Sequence, residues 1–465
     1  MSDKVYRAIA DAPSGFVESP AGCGKTEAIV RTVGTYCADP QLVLTHTHAG
    51  VDALRQRFRD HGVLAARYHV DTIAGWAWGW VRKYPVNAHY LGPPEIVEWN
   101  SVYAAMTELL QKRFVRCGVL NSYAGVIVDE YQDCTVPMHR LILALKGLLP
   151  CRVLGDDLQG VFGFRDDPLV TWPAVQQDFA DNLGLLETPH RWIKAGNRPL
   201  GDWLLGTRDE FRARREPDYR GSPIARRTVP YSALAGELLR LTDEKAGRIC
   251  VVGPKARRLH AGTETMLVNR GYRVLEPNDL TALQKLIIVL SGGSPAQQSD
   301  GALTFLTGAY GGLPPGDKEF IERILRGQAQ QPRRADRRAL CAKHTDGTAP
   351  ALLLDLLIYI EALTGSSCKL RESVSTLKCI LEEHIESAAD LPSLYAAEIA
   401  KRKYQSRSSI YRCIGSTLLV KGLEFDHAVI LRDANWQRSW GNHRDLYVAL
   451  TRGSKSTTLL ELTAG

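Results

Sequence analysis

The stretch Ser19-Pro20-Ala21-Gly22-Cys23-Gly24-Lys25-Thr26 constrains the fold of this chain more than any other. A short apolar run, Gly15-Phe16-Val17-Glu18, precedes it, and a segment that reads as a helix from Lys25 to about Tyr36 follows. Glycines at such a junction let backbone N–H groups converge on phosphate oxygens at the start of a helix. Gly22 and Gly24 would shape that cradle, Lys25 would reach the β- and γ-phosphates, and Thr26 would offer its hydroxyl to Mg²⁺. The first position is Ser19 where the Walker A pattern has glycine. A glycine-rich turn that binds nothing is the alternative, so a second signal is needed.

That signal is Val126-Ile127-Val128 followed by Asp129-Glu130. Hydrolysis of a phosphoanhydride needs one carboxylate to hold the metal and another to polarise the attacking water. Asp129 suits the first role and Glu130 the second; a helix cap is the plainer reading of two acids after a strand. Gln41-Leu42-Val43-Leu44 and Arg152-Val153-Leu154 are further short strands. Strand ends that feed loops and helices indicate a parallel α/β sheet with its ligand at the carboxyl edge. A second α/β pattern starts near Leu183, with strands at Arg248–Gly253, Tyr272–Leu275, Ala428–Leu431 and Thr457–Leu462. Residues 285–404 are helix-rich and read as an inserted helical domain.

Composition narrows the class. The 465 residues are 45% hydrophobic and 23% charged, which excludes disordered and fibrous chains. Ala351–Leu363 is the longest apolar stretch, and Asp355 and Glu361 interrupt it, so it reads as a buried helix. The first residues lack the apolar core of a signal peptide, which points to the cytoplasm and away from a membrane. The 10 cysteines form no CxxC pair, against structural zinc. Cys23, inside the phosphate loop, is expected to favour the thiolate, to react with alkylating agents and to be protected by ATP. The net charge of +7 fits a polyanionic partner.

With Asp129-Glu130-Tyr131-Gln132-Asp133 the chain resembles a superfamily 1 helicase of the UvrD/Rep/PcrA type, whose ordered motifs can be followed over nearly its whole length. Leu44–Gly50, with Leu54 and Arg57, resembles a segment of that family that touches single-stranded DNA, and Asp71–Trp76 resembles the next DNA-facing motif. Gly155–Arg165 is similar to the GDxxQSIYxFRGA segment and Leu186–Arg191 to LxxNYR. Lys421–Asp426 matches KGLEF, and Leu446–Arg452 matches YVALTRA.

The resemblance implies an α/β fold of two RecA-like P-loop NTPase cores with inserted helical subdomains and ATP between the cores. The first core would span 1–182, with a short insertion near 85–122. The second would combine 183–284 and 405–465, with the helical domain at 285–404. It implies that Gln159 links the γ-phosphate to the DNA-facing motif, that Arg191 and Arg452 act as arginine fingers, and that Glu424 contacts the nucleotide sugar. A fixed guanidinium charge supplied from the opposite core suits phosphoryl transfer. Thr45, Thr47 and Thr72 fall in the DNA-facing segments. Phe162 and Phe164 offer rings for stacking on unpaired bases, with Phe164 the favoured contact and a core position the alternative for Phe162. Trp76 is a further candidate, although Trp76 and Trp80 share a helix face, as core residues do. Two basic runs, Arg326–Lys343 and Lys401–Arg412, are candidate phosphate contacts. A third, Arg208–Arg227, is offset by acids and reads as surface.

The sequence also departs from that family. No glutamine precedes the phosphate loop, so base selectivity is either relaxed or achieved differently. Asp166-Asp167-Pro168 replaces Gly-Ala, Pro189-His190 replaces Asn-Tyr, and an apolar residue near Leu418 stands where a histidine is usual. The small insertions and short tail resemble the helicase subunit of the Gabija antiphage system, which works with a separate nuclease subunit. The expected function is an ATP- and Mg²⁺-dependent motor on single-stranded or end-containing DNA, moving 3′ to 5′. The alternative is a DNA-sensing ATPase that licenses a partner nuclease without processive unwinding.

Overall fold

The computed structural model describes residues 2–90, 98–161, 168–243, 245–253, 261–275, 280–328, 332–344, 350–363, 365–387, 389–395, 398, 411–433 and 443–463. It is a mixed α/β structure with two parallel six-stranded sheets, the arrangement of two RecA-like cores. The first sheet contains β1 (Ser14–Glu18), β2 (Gln41–Thr45), β3 (Tyr68–Thr72), β4 (Gly125–Val128), β5 (Cys151–Gly155) and β6 (Asn182–Leu185), in the order β3-β2-β4-β5-β1-β6. Strands β2, β4 and β5 are buried along their whole length, as expected of parallel strands covered on both faces. Register aligns Glu18 with Gly155 and Thr45 with Thr72, so the loops that follow these strands share one edge.

The handover between cores differs from the sequence expectation. A second core starting at residue 183 would include β6, yet β6 pairs with β1 in the first sheet. The switch comes after it: Trp192, Leu200, Leu204 and Phe211 pack with Cys250 and Ile430. The second sheet begins with β7 (Ala225–Pro230), β8 (Ile249–Gly253) and β9 (Arg273–Val274).

Residues 276–409 form a separate compact unit. Among its described residues it is helical apart from turns and a two-stranded antiparallel pair, β10 (Tyr310–Gly311) and β11 (Ser367–Cys368). Helix Thr281–Gly292 belongs to it, since Leu283, Leu286 and Ile287 pack against Leu306, Leu353 and Leu377. The helical unit therefore starts earlier than residue 285. The apolar stretch near 351–363 is helix Pro350–Glu361, whose Leu352, Leu353, Leu356, Leu357 and Ile360 fill this core. Among the described residues no helix is long and apolar enough to cross a membrane. The chain then completes the second sheet with β12 (Arg412–Ser416), β13 (Phe425–Asp433) and β14 (Gly453–Thr463), in the order β7-β14-β13-β8-β12-β9.

Four of the cations in the basic run of the helical unit, Arg326, Arg334, Arg337 and Lys343, are engaged by acids. Arg337 and Arg334 reach Asp317 at 2.7 and 3.2 Å, and the Tyr359 hydroxyl donates to the same carboxylate. Arg326 pairs with Asp300 and Glu322, and Lys343 with Asp355. Asp300, Asp317 and Asp355 come from neighbouring helices, out of view of a local charge count. Lys401, Arg402, Lys403 and Arg407 lie outside the described residues.

Asp317 is buried, and burial opposes its charge. The Tyr359 hydroxyl and the two guanidinium groups outweigh that and hold its pKa below the ordinary value. Its contribution is therefore complete above the ordinary carboxylate range and is lost as pH falls through the depressed pKa. Asp317→Asn should weaken the helical unit by about 1.5–3 kcal/mol at neutral pH, with a smaller deficit in acid. Urea unfolding across a pH series measures this, and a pH-independent deficit would contradict it.

Candidate active site

Three loops at the carboxyl edge of the first sheet build one side of the site. After β1, Gly22 and Gly24 take left-handed conformations with φ of 67° and 87°. A Cβ on Gly22 would stand 2.7 Å from the Trp192 ring and 2.9 Å from Arg191 Cβ, so only glycine allows the loop this close to the second core. Helix Lys25–Arg31 follows, with Thr26 half-buried in its first turn, and a π-helical turn extends it over Thr32–Tyr36.

Lys25 Nζ lies 2.5 Å from Glu130 Oε2 and 3.7 Å from Asp129 Oδ1, the two acids after β4. Burial opposes the Lys25 charge, but the adjacent carboxylates outweigh it and raise the pKa. Burial raises the Asp129 pKa despite Lys25. Burial likewise opposes the Glu130 charge, but Lys25 and Lys421 hold its pKa below the ordinary value. Glu130 also adopts φ 54°, a left-handed conformation uncommon outside glycine. Such local strain persists only where surrounding contacts enforce it. Here its Oε2 accepts both Lys25 and the Gln132 side-chain amide, the latter at 2.5 Å.

The second core presents the amino ends of its strands. Glu424 immediately precedes β13, Arg452 precedes β14, and Arg191 sits on the short helix His190–Lys194. Arg191 N donates to Gly22 O at 3.1 Å, which ties the phosphate loop to the opposite core. Its Nη1 donates to Thr451 O at 2.8 Å and its Nη2 to Glu424 at 2.5 Å, while its Nε is buried without a hydrogen-bond partner. Arg452 is buried, donates to the Val448 and Leu423 carbonyls, and points Nη2 at Gln159 Oε1, 3.4 Å away. Burial, with the charge of Arg191, lowers its pKa to about 10. The structure thus gathers Gly22, Gly24, Lys25, Thr26, Asp129, Glu130, Gln159, Arg191, Glu424 and Arg452 around one cleft.

Sequence reasoning missed the groups that hold these residues in place. Asp156 is fully buried. Its carboxylate accepts Ala21 N of the phosphate loop at 3.2 Å, Leu158 N at 3.3 Å and Gln159 Nε2 at 2.8 Å. Its counter-ion is Arg208 at 2.8 Å, from the second core. Arg208 was expected at the surface with its basic neighbours, yet it is 6% exposed. It also reaches Glu18 at 2.8 Å, Asp157 at 3.1 Å and the Tyr447 hydroxyl at 2.9 Å. No local pattern marks it, because every partner is remote in sequence. Lys421, first residue of the KGLEF segment, is half-buried with its side chain only 6% exposed, and donates to Asp133 and to Gln159 O across the cleft. His46, beside it, is held neutral, its pKa lowered to about 4 by burial and the Lys421 charge.

The nucleic-acid candidates separate. Thr47 is exposed and caps helix His48–Asp60 by accepting from Gly50 N. Thr45 and Thr72 are 1% and 3% exposed, and Thr72 caps helix Ile73–Val81. Their side chains serve the fold. Trp76 is corrected too: it is 3% exposed and packs in the first core, edge-on to Trp80. The helical spacing that suggested a core stripe is the physical reason. Phe162 and Phe164 lie outside the described residues. The expected Cys23 thiolate is overturned, because the side chain is 2% exposed and burial, with the Asp156 charge, pushes its pKa up to about 12.

No protein-family model matches the chain, and no curated protein matches it significantly. Among solved structures it is similar to an arterivirus nonstructural protein 10 helicase in complex with DNA, at 16% identity and TM-score 0.29. That match covers 55% of this chain and 51% of the other. It is also similar to the crystal structure of arterivirus nonstructural protein 10, at 12% identity and TM-score 0.37, over 98% of this chain and 61% of that one. This chain therefore matches only about half to three-fifths of those helicase chains.

Two outcomes follow from this geometry. An alkylating reagent should label the exposed Cys117 well before Cys23, with or without nucleotide; peptide mapping checks this, and fast ATP-protected labelling of Cys23 would contradict it. Arg208→Ala would leave Asp156 buried without its counter-ion and should cost about 3–5 kcal/mol in chemical denaturation. A loss below about 1 kcal/mol would mean that solvent already screens the pair.

Proposed function

We propose that this chain is an ATP-driven motor on single-stranded DNA, a UvrD-like superfamily 1 helicase or translocase. The observation that carries the reading is the meeting of Lys25 with Asp129 and Glu130, across one cleft from Arg191 and Arg452.

The residues fit a nucleotide and its metal. Ala21 N and Cys23 N of the glycine loop are taken by Asp156 and Pro20 O, so phosphate would meet the other N–H groups of the loop, and the buried Arg191 Nε is a donor with no protein acceptor. Thr26 and Asp129 would hold Mg²⁺, which supplies charge neutralisation at the phosphoryl oxygens. Lys25 would bind the β/γ-phosphates. Glu130, kept ionised by its two lysine neighbours, would take the proton of the attacking water. Arg191 and Arg452 would bring positive charge from the opposite core, so that hydrolysis depends on how the cores meet. Gln159 stands between Arg452 and Asp156 and would report the nucleotide state to the loop that follows. Glu424, bonded to Arg191, would contact the sugar. Polarity from 3′ to 5′, a partner nuclease and a role in antiphage defence are carried by the sequence resemblance.

The test is ATP hydrolysis by the full chain with and without single-stranded DNA. The wild type should be stimulated by DNA, and Lys25→Ala and Glu130→Gln should each lose roughly 10²-fold or more. Undiminished turnover in Glu130→Gln would sink the proposal. Turnover indifferent to DNA would favour the regulatory ATPase instead.

A further inference from the structure

Between β3 and β4 the chain builds a surface that none of the motifs uses. Helix Ile73–Val81 starts at the carboxyl end of β3 and, at 1.5 Å per residue, carries the chain about 13 Å away from that edge. Beyond it stands a row of aromatic rings. Trp80 and Tyr84 lie 6.2 Å apart between centroids at 27°, and Tyr84 and Phe114 lie 5.0 Å apart at 66°. The inner end is anchored: Trp80 is partly buried against the first core and packs on Gly118, where a Cβ would stand 3.0 Å from the ring. The outer end is open, with Tyr84 36% and Phe114 45% exposed.

Cations flank both outer rings. Arg82 and Lys83 precede Tyr84, while Arg113 and Arg116 bracket Phe114 on helix Arg113–Ser122, and all four are exposed. Among the described residues none of these four side chains has a carboxylate or hydrogen-bond partner, and no acid occurs from Leu109 to Gly125. The arginines of the helical unit offer the contrast, since Arg326, Arg334 and Arg337 are each neutralised by an aspartate. Uncompensated cations set beside solvent-facing rings are the combination that holds single strands: phosphates meet the charges and bases stack on the rings.

We propose that Arg82, Lys83, Tyr84, Arg113, Phe114 and Arg116 form a second contact surface for single-stranded nucleic acid, apart from the strand-end segment of Thr47. It rests on the reading above that this chain acts on such a strand. The surface lengthens the footprint and retains the strand by contacts that do not depend on the nucleotide cleft.

The test is binding of a fluorescently labelled oligothymidylate to the full chain across a salt series, read by anisotropy. Arg82→Gln with Arg113→Gln should lower the log–log salt slope by about 1.4, near 0.7 per single-strand phosphate contact. Tyr84→Ala with Phe114→Ala should weaken binding about tenfold or more and leave the slope unchanged. DNA-independent ATP hydrolysis should stay at the wild-type level in both pairs, because none of these residues touches the cleft. Wild-type binding with slope and affinity unchanged in the variants would overturn this surface alone. No binding by the wild type would overturn it together with the reading it rests on. Unchanged oligonucleotide binding with lost binding of poly-glutamate would assign the surface to an acidic protein and also overturn the proposal.

Discussion

The buried Asp156 carboxylate is the charge around which the two cores are organised. A carboxylate taken fully out of water is tolerable only when paired and hydrogen-bonded, and Asp156 takes both from opposite directions. Its own core supplies the Ala21, Leu158 and Gln159 donors, and the second core supplies Arg208. One ion pair thereby fixes the phosphate loop backbone, the Gln159 side chain and the approach of the second sheet. Arg208 also binds Glu18 and Tyr447, so the end of β1 and the helix His443–Leu450 are held by the same guanidinium. Arg212 adds contacts to Glu18 and Asp157 at the exposed end of this cluster.

From this pair a short chain of hydrogen bonds leads to Glu130. Asp156 N donates to Gln132 Oε1, and the Gln132 amide donates to Glu130 at 2.5 Å. Glu130 keeps its left-handed backbone and its depressed pKa because Lys25, Gln132 and Lys421 all favour the ionised carboxylate. Lys421 comes from the second core and is bonded to Asp133, so the charge on Glu130 is set partly from across the cleft. Burial lowers the Lys421 pKa and raises that of Asp133 to about 6, while the pair itself opposes both shifts. Any change in how the cores meet would alter the field at Glu130 as well as the reach of Arg191 and Arg452. Geometry and electrostatics are coupled through the same few side chains.

Much of this was legible in the sequence, for a definite reason. The phosphate loop, the acids after β4 and the strands around them are local patterns: a loop needs its glycines in a row, and a parallel strand needs its apolar run. The places where sequence reading failed depended on distance in space. Arg208 looked like its solvated neighbours because Glu18, Asp156 and Asp157 are invisible in a local window. Arg334 and Arg337 looked available because Asp317 belongs to another helix. Cys23 looked activated because converging loop N–H groups and Lys25 favour a thiolate, whereas desolvation dominates its environment. Trp76 carried two signals, motif position and helical spacing, and packing decided for the second.

The sequence by itself determined the alternation of strands and helices, the glycine loop after β1, and the pair of acids after β4. These rest on short-range backbone and patterning rules that act within a few residues. Only the tertiary structure decided which strand closes the first sheet, which charges are neutralised, which acid is strained and which aromatic rings remain in solvent. Burial and Coulomb interactions act through space, and they assign a residue its pKa, its partner and its exposure only after the chain has folded.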